Sequence, residues 1–203
     1  MQKLFFLIIN LTFIGNLYSQ DDFNRDIDYK GFFNFQYELK SNKIFLELDE
    51  LDRDFLYINS LKTGLGSNDI GLDRGKLGKQ RIVRFKRYGN KILLIQPNLK
   101  YRANSDNTSE RKSVEEAFAF SVIFGFDILE SSSNKFKIDL TPFLLQDSNG
   151  VIDRLKNSNQ GNYTIDLSKS SIDLSNTKAF PKNVEFETLL TFKGNGNGSL
   201  IRS

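Results

Sequence analysis

The chain contains no cysteine, no histidine and no tryptophan, and only one methionine and three prolines. Each absence removes a class of chemistry. Without cysteine no disulfide can staple the fold, so stability must come from a packed core. Without histidine or cysteine, a Ser-His-Asp triad, a Cys-His nucleophile pair and a His-anchored zinc site are all excluded within this chain. The missing tryptophan weakens a sugar-stacking role. An excess of charge of one sign is lacking too: 28 Lys+Arg against 25 Asp+Glu leave a formal charge of +3. That small balance gives no reason to expect nucleic acid or an anionic membrane as partner. What is present is aromatic and apolar: 19 Phe, 7 Tyr and 39% hydrophobic residues over 203 positions, enough to build a core without staples.

Residues 1–20 read MQKLFFLIINLTFIGNLYSQ. Lys3 opens a short apolar stretch that ends in a small polar tail. That is the layout of a secretory signal peptide, with cleavage expected after Ser19. The apolar run is too short to span a bilayer core of roughly 30 Å, so no membrane span is expected. A cysteine-free exported chain fits a bacterial protein of the periplasm or the exterior.

Beyond this leader the pattern is that of strands. Runs at 32–39, 43–48, 55–61, 81–87, 91–96 and 99–103 read as strands; in several of them, as at Ile44, Leu46 and Leu48 or Val83 and Phe85, the period of two marks one buried sheet face. Gly89-Asn90 is a hairpin turn pair. Phe118, Phe120, Val122, Phe124, Phe126 and Ile128 recur at every second position and predict a long strand. Further strands are expected at 135–140, 163–167, 172–174 and 184–192. Ser113 with Glu116 suggests a capping box for a short helix over 109–117, and Thr141-Pro142 a second helix start. Residues 151–156 offer a third helical turn. The expected fold is therefore mainly β (α+β): antiparallel sheets with two or three short helices in a single domain. The expected division is a signal peptide at 1–19, a leader at 20–29, the β-rich domain at 30–193 and a flexible tail or truncation end at 194–203.

The segment 64–80 interrupts this pattern with five glycines and no periodicity, and reads as a long ordered loop. It matches neither a dinucleotide fingerprint (Asp69 stands where the third glycine belongs) nor a phosphate-binding loop (Ile70 and Leu77 occupy its glycine and magnesium-binding positions). Its spacing of Asn68, Asp69 and Asp73 is not that of a calcium loop. Long loops inside compact domains are often functional, which makes Asn68, Asp69, Asp73 and Arg74 the candidate binding residues. The bland alternative is that Asp73 and Arg74 hold the loop's own shape. Carboxylate clusters at Asp49/Glu50/Asp52/Asp54 and Glu115/Glu116 are read as solvated turn and helix charge. The basic residues Arg81, Arg84, Lys86, Arg87, Lys91, Lys100 and Arg102 are read as the polar face of a sheet. No catalytic and no metal-binding residue is assigned.

Several blocks carry a resemblance. Phe55-Leu56-Tyr57, the run from Thr63 to Gly75, Arg81-Ile82-Val83-Arg84-Phe85, Gln96-Pro97-Asn98-Leu99-Lys100-Tyr101-Arg102-Ala103, Val114-Glu115-Glu116-Ala117-Phe118-Ala119, Phe143-Leu144-Leu145-Gln146-Asp147 and Thr177-Lys178-Ala179-Phe180-Pro181 are similar, in order, to the N-terminal domain of secreted bacterial metzincin-like zinc-dependent metalloproteases. That domain is one of unknown function ahead of the protease domain, and the similarity covers residues 30–193. The resemblance implies a non-catalytic accessory domain from a truncated or split product. Its partner would be the metalloprotease domain of the same or an adjacent gene product. Zinc is then expected only in that absent protease domain. The alternative is a free-standing secreted module that binds a glycan or an envelope protein.

Overall fold

Alternating apolar residues build most of this molecule. The computed structural model describes residues 26–65 and 68–201; the expected signal peptide and most of the expected leader lie outside the described residues. Eight strands form one antiparallel sheet: β1 (Ile27–Tyr29), β2 (Asn34–Glu38), β3 (Lys43–Leu48), β4 (Phe55–Tyr57), β5 (Arg81–Tyr88), β6 (Lys91–Gln96), β7 (Ser121–Ser132) and β8 (Lys135–Asp139). Their order across the sheet is β1-β2-β3-β8-β7-β6-β5-β4. Two antiparallel pairs accompany it: β9 (Gly161–Ile165) with β12 (Phe192–Gly196), and β10 (Ser171–Phe180) with β11 (Asn183–Leu189). The helices are α1 (Thr108–Ala117), α2 (Thr141–Leu144) and α3 (Val151–Asn157). The fold is mainly β in one domain, as the alternation predicts.

The inward rows are those of the sequence pattern. Ile44, Leu46 and Leu48 on β3, Val83 and Phe85 on β5, and Ile92 and Leu94 on β6 are all buried in one core with Phe35, Phe126, Phe136 and Ile138. The sheet curls until its two ends meet. Phe33, just ahead of β2, lies 5.1 Å from the ring of Phe55 on β4 and 5.8 Å from that of Phe85 on β5, although β2 and β4 lie near opposite ends of the strand order. Aromatic packing therefore brings the ends together. Each such pair adds about 0.5–1.5 kcal/mol beyond its buried area. The β10–β11 hairpin docks on the same core through Phe186 against Phe35 (4.8 Å) and a hydrogen bond donated by the Phe32 amide to the Phe180 carbonyl (2.7 Å).

Local chemistry explains the joints. Gly89 (φ 59°) supplies the left-handed residue in the β5–β6 turn, where a side chain would cost energy. Asn107, not Ser113, caps α1, accepting from the Ser109 amide at 2.9 Å; the expected capping box is not formed. Asp147 caps α3 from outside, its two carboxylate oxygens each accepting at 2.8 Å from the Val151 and Ile152 amides.

Other expectations are corrected. Residues 99–103 form no strand, because the chain leaves the sheet at Pro97, which has no amide hydrogen to give to a ladder. The strand expected from Phe118 starts only at Ser121. In its ladder with β6, Leu94 faces Phe124 but Ile95 faces Val122. The extra residue, Ile123, is a β-bulge. It reverses the parity, so Val122 is 53% exposed while Phe126 is buried. Ile27–Tyr29, within the segment expected to be a loose leader, adds β1 to the sheet, and Gly194–Gly196, expected as flexible tail, pair with 161–163 of β9.

Candidate functional site

The glycine-rich loop is built around two apolar anchors. Ile70 and Leu72 are each 1% exposed and pack with Val151 and Leu155 of α3 in a second, smaller core. Backbone hydrogen bonds fix the chain on either side of them. The Leu65 amide donates to the Leu72 carbonyl (3.1 Å), Gly71 to Asn68 (2.9 Å), Gly75 to Leu61 (2.7 Å) and Leu61 to Lys76 (2.9 Å). The Lys76 ammonium donates to the Gly71 carbonyl. Asn59, whose carbonyl accepts from the Gly78 amide, reaches across to the Ser148 carbonyl (2.9 Å) and the Asn149 side chain (2.6 Å). The loop is thus a plug over α3, held among the described residues by Ile70, Leu72 and these hydrogen bonds.

With the anchors turned inward, Asn68, Asp69, Asp73 and Arg74 are all exposed. Asn68, Asp73 and Arg74 come together with Gly64 and Leu72 around a depression of about 260 Å³; Asp69 stands outside its lining. One carboxylate, one guanidinium and one amide facing solvent offer polar contacts to a partner surface. The loop's shape is kept by backbone bonds and buried leucine and isoleucine, while the Asp73 carbonyl accepts from the Lys76 amide at 3.1 Å.

A second concavity was not singled out by the sequence. It measures about 430 Å³ and is lined by Gln80, Arg81 and Ile82 on one side and by Gln96–Lys100 with Ala119 and Ser121 on the other. Pro97 was legible as a strand stop, but the return of Ala119 to the same place depends on how the excursion 97–120 folds. The rest of the basic stripe is largely satisfied. Arg84 makes a two-pronged contact with Asp54 (2.7 and 3.0 Å), Lys91 pairs with Asp127 (2.8 Å), and the Arg87 guanidinium lies 5.2 Å from the centre of the Phe136 ring. Arg81 and Lys100, at the cleft, form no ion pair among the described residues.

The carboxylate clusters behave as solvated charge. Glu50 pairs with Arg53 and Glu116 with Lys112 at 3.1 and 3.6 Å. Among the described residues no group of three or more acidic side chains converges as metal ligands would. With no imidazole or thiolate in the sequence, the residues present do not fit a catalytic zinc. Also among the described residues, no helix is long and apolar enough to cross a membrane.

Comparison with known proteins adds one match. A family model described as a domain of unknown function, DUF5117, matches residues 75–202. No curated protein and no solved structure matches.

Proposed function

We propose that this chain, which belongs to the DUF5117 family of domains of unknown function, acts as a non-catalytic accessory domain of a secreted zinc-dependent metalloprotease. The observation that carries the reading is the ordered set of blocks over 30–193 in a chain that has no histidine or cysteine to hold a catalytic zinc. The leader-like residues 1–19 support export to the periplasm or the exterior. The partner is the metalloprotease domain of the same or an adjacent gene product, and any zinc belongs to that domain. The glycine-rich loop is the contact assigned to it: Ile70 and Leu72 anchor it from within, and Asn68, Asp69, Asp73 and Arg74 are exposed on its outer side. Leu77, in the same connection, is exposed and adds apolar surface to these polar groups.

The test has two arms. The purified chain is incubated with zinc and a protein substrate, and is then co-expressed with the metalloprotease domain. No cleavage by the chain alone, co-elution with the protease domain, and weakened co-elution of Arg74→Glu are expected. Zinc-dependent cleavage by the chain alone, or failure to associate, overturns the reading.

One observation favours the second reading, a free-standing binding module for a glycan or an envelope protein. The rings of Tyr101 and Phe118 stack at 4.1 Å while remaining 46% and 39% exposed. Flat exposed rings beside polar groups are a recognition surface. Binding to a glycan panel with no affinity for the protease domain would select it.

A further inference from the structure

The larger cleft lies where the sheet splits. On its β4 side, β5 is paired from Arg81 to Val83. On its β6 side, pairing begins only at Arg84, opposite Ile95. Arg81 and Ile82 therefore have a strand partner on one side only and line the cleft on the other, while Val83 is already buried. β6 ends at Gln96, Pro97 turns the chain out, and the excursion 97–120 returns to the sheet through Ala119 and Ser121. The cleft of about 430 Å³ occupies the gap so formed. Its lining contains two cations, Arg81 and Lys100, and no carboxylate. Its rim carries the stacked, exposed pair Tyr101–Phe118, each next in the chain to a lining residue, and Lys100 lies 5.3 Å from the centre of the Tyr101 ring. The excursion also carries α1, ten residues with none buried. A helix of that length is marginal in water without a packed face.

From these features we propose that the cleft binds an extended acidic polypeptide segment by strand addition to the start of β5. The open edge at Arg81 and Ile82 supplies main-chain hydrogen-bonding groups at strand spacing, which an extended peptide backbone complements. Arg81 and Lys100 then meet carboxylates on the incoming segment, as the one-signed lining requires. Tyr101 and Phe118 cover an apolar side chain at the rim. This site is separate from the glycine-rich loop and holds whether or not the protease domain is the chain's partner.

The experiment is selection of a displayed library of random ten-residue peptides on the full chain, with Arg81→Glu/Lys100→Glu as counter-target. Recovered peptides are then measured by fluorescence anisotropy. Peptides carrying Asp or Glu at alternate positions are expected, with affinity falling at least ten-fold in the double variant and in Lys100→Glu alone, and falling as salt is raised. Lys100 lies outside every strand, so Lys100→Glu serves where Arg81→Glu disturbs β5; circular dichroism checks the fold of both. No enrichment, enrichment of neutral or basic peptides, or affinity unchanged in a folded Lys100→Glu overturns the proposal. So does tighter binding of polygalacturonate than of any selected peptide, which would make the cleft a glycan site.

Discussion

Thr141 links the sheet to its first helix after β8. Its hydroxyl accepts the Ile44 amide at 2.9 Å in a buried position, while its own amide donates to Asp139 at 2.9 Å. The sequence marked Thr141-Pro142 as a helix start but could not show that the hydroxyl faces back to β3. Thr141→Val keeps the shape and removes the acceptor, leaving a buried amide unsatisfied. A loss of about 1–3 kcal/mol is expected in urea unfolding, and an unchanged midpoint would refute the assignment. Asp173 makes a complementary, pH-dependent case. Hydrogen bonds from Ser175 and then Asn176 hold its carboxyl down from 3.8 to about 2. The folded protein thus binds this proton less readily than the unfolded chain. The contribution is complete above the ordinary value of 3.8 and is lost as pH falls through about 2. Thermal unfolding of wild type and Asp173→Ala should therefore differ above pH 4 and converge toward pH 2. A gap independent of pH would show that the carboxylate charge is not involved.

At the scale of elements, strands with uninterrupted alternation were legible almost residue by residue. β3 runs over the residues expected because its alternating apolar face is the buried one, and β6 because the Gly89-Asn90 turn and Pro97 bound it. β7 was misread for a physical reason: a single inserted residue reverses the faces, and nothing in the period of two announces it. The β9–β12 pair was missed on its β12 side because glycine and asparagine resemble linker by composition. Here glycine is required by close backbone approach. Gly161 has φ 121°, and a Cβ there would stand 2.2 Å from the Asn195 carbonyl oxygen. Gly161→Ala should cost more than about 1 kcal/mol and should open this pair first. Hydrogen exchange should then show faster exchange in 161–165 and 192–196, with β3 and β8 unchanged. Uniform loss across the whole sheet would mean that the pair is not a separable unit.

For the whole molecule, the two long connections have opposite character although both look like loops in the sequence. The first, 61–80, is pinned by Ile70 and Leu72 in the second core and by the backbone bonds around Leu61 and Gly75. The second, 97–120, holds α1 with no buried residue and rests on exposed aromatic rings. Local opening is governed by buried contacts and protected backbone bonds, not by loop length. Both connections offer trypsin exposed basic residues: Lys62, Arg74 and Lys79 in the first, Lys100, Arg102, Arg111 and Lys112 in the second. Limited trypsin digestion followed by intact mass analysis should therefore cut first within 100–112, with 74–79 surviving until the domain unfolds. A bound partner that covers the excursion should slow that first cut without changing the later ones. Early cleavage after Arg74 or Lys79 would show that the second core does not hold the glycine-rich loop, and would remove the reason for treating that loop as a preformed contact surface.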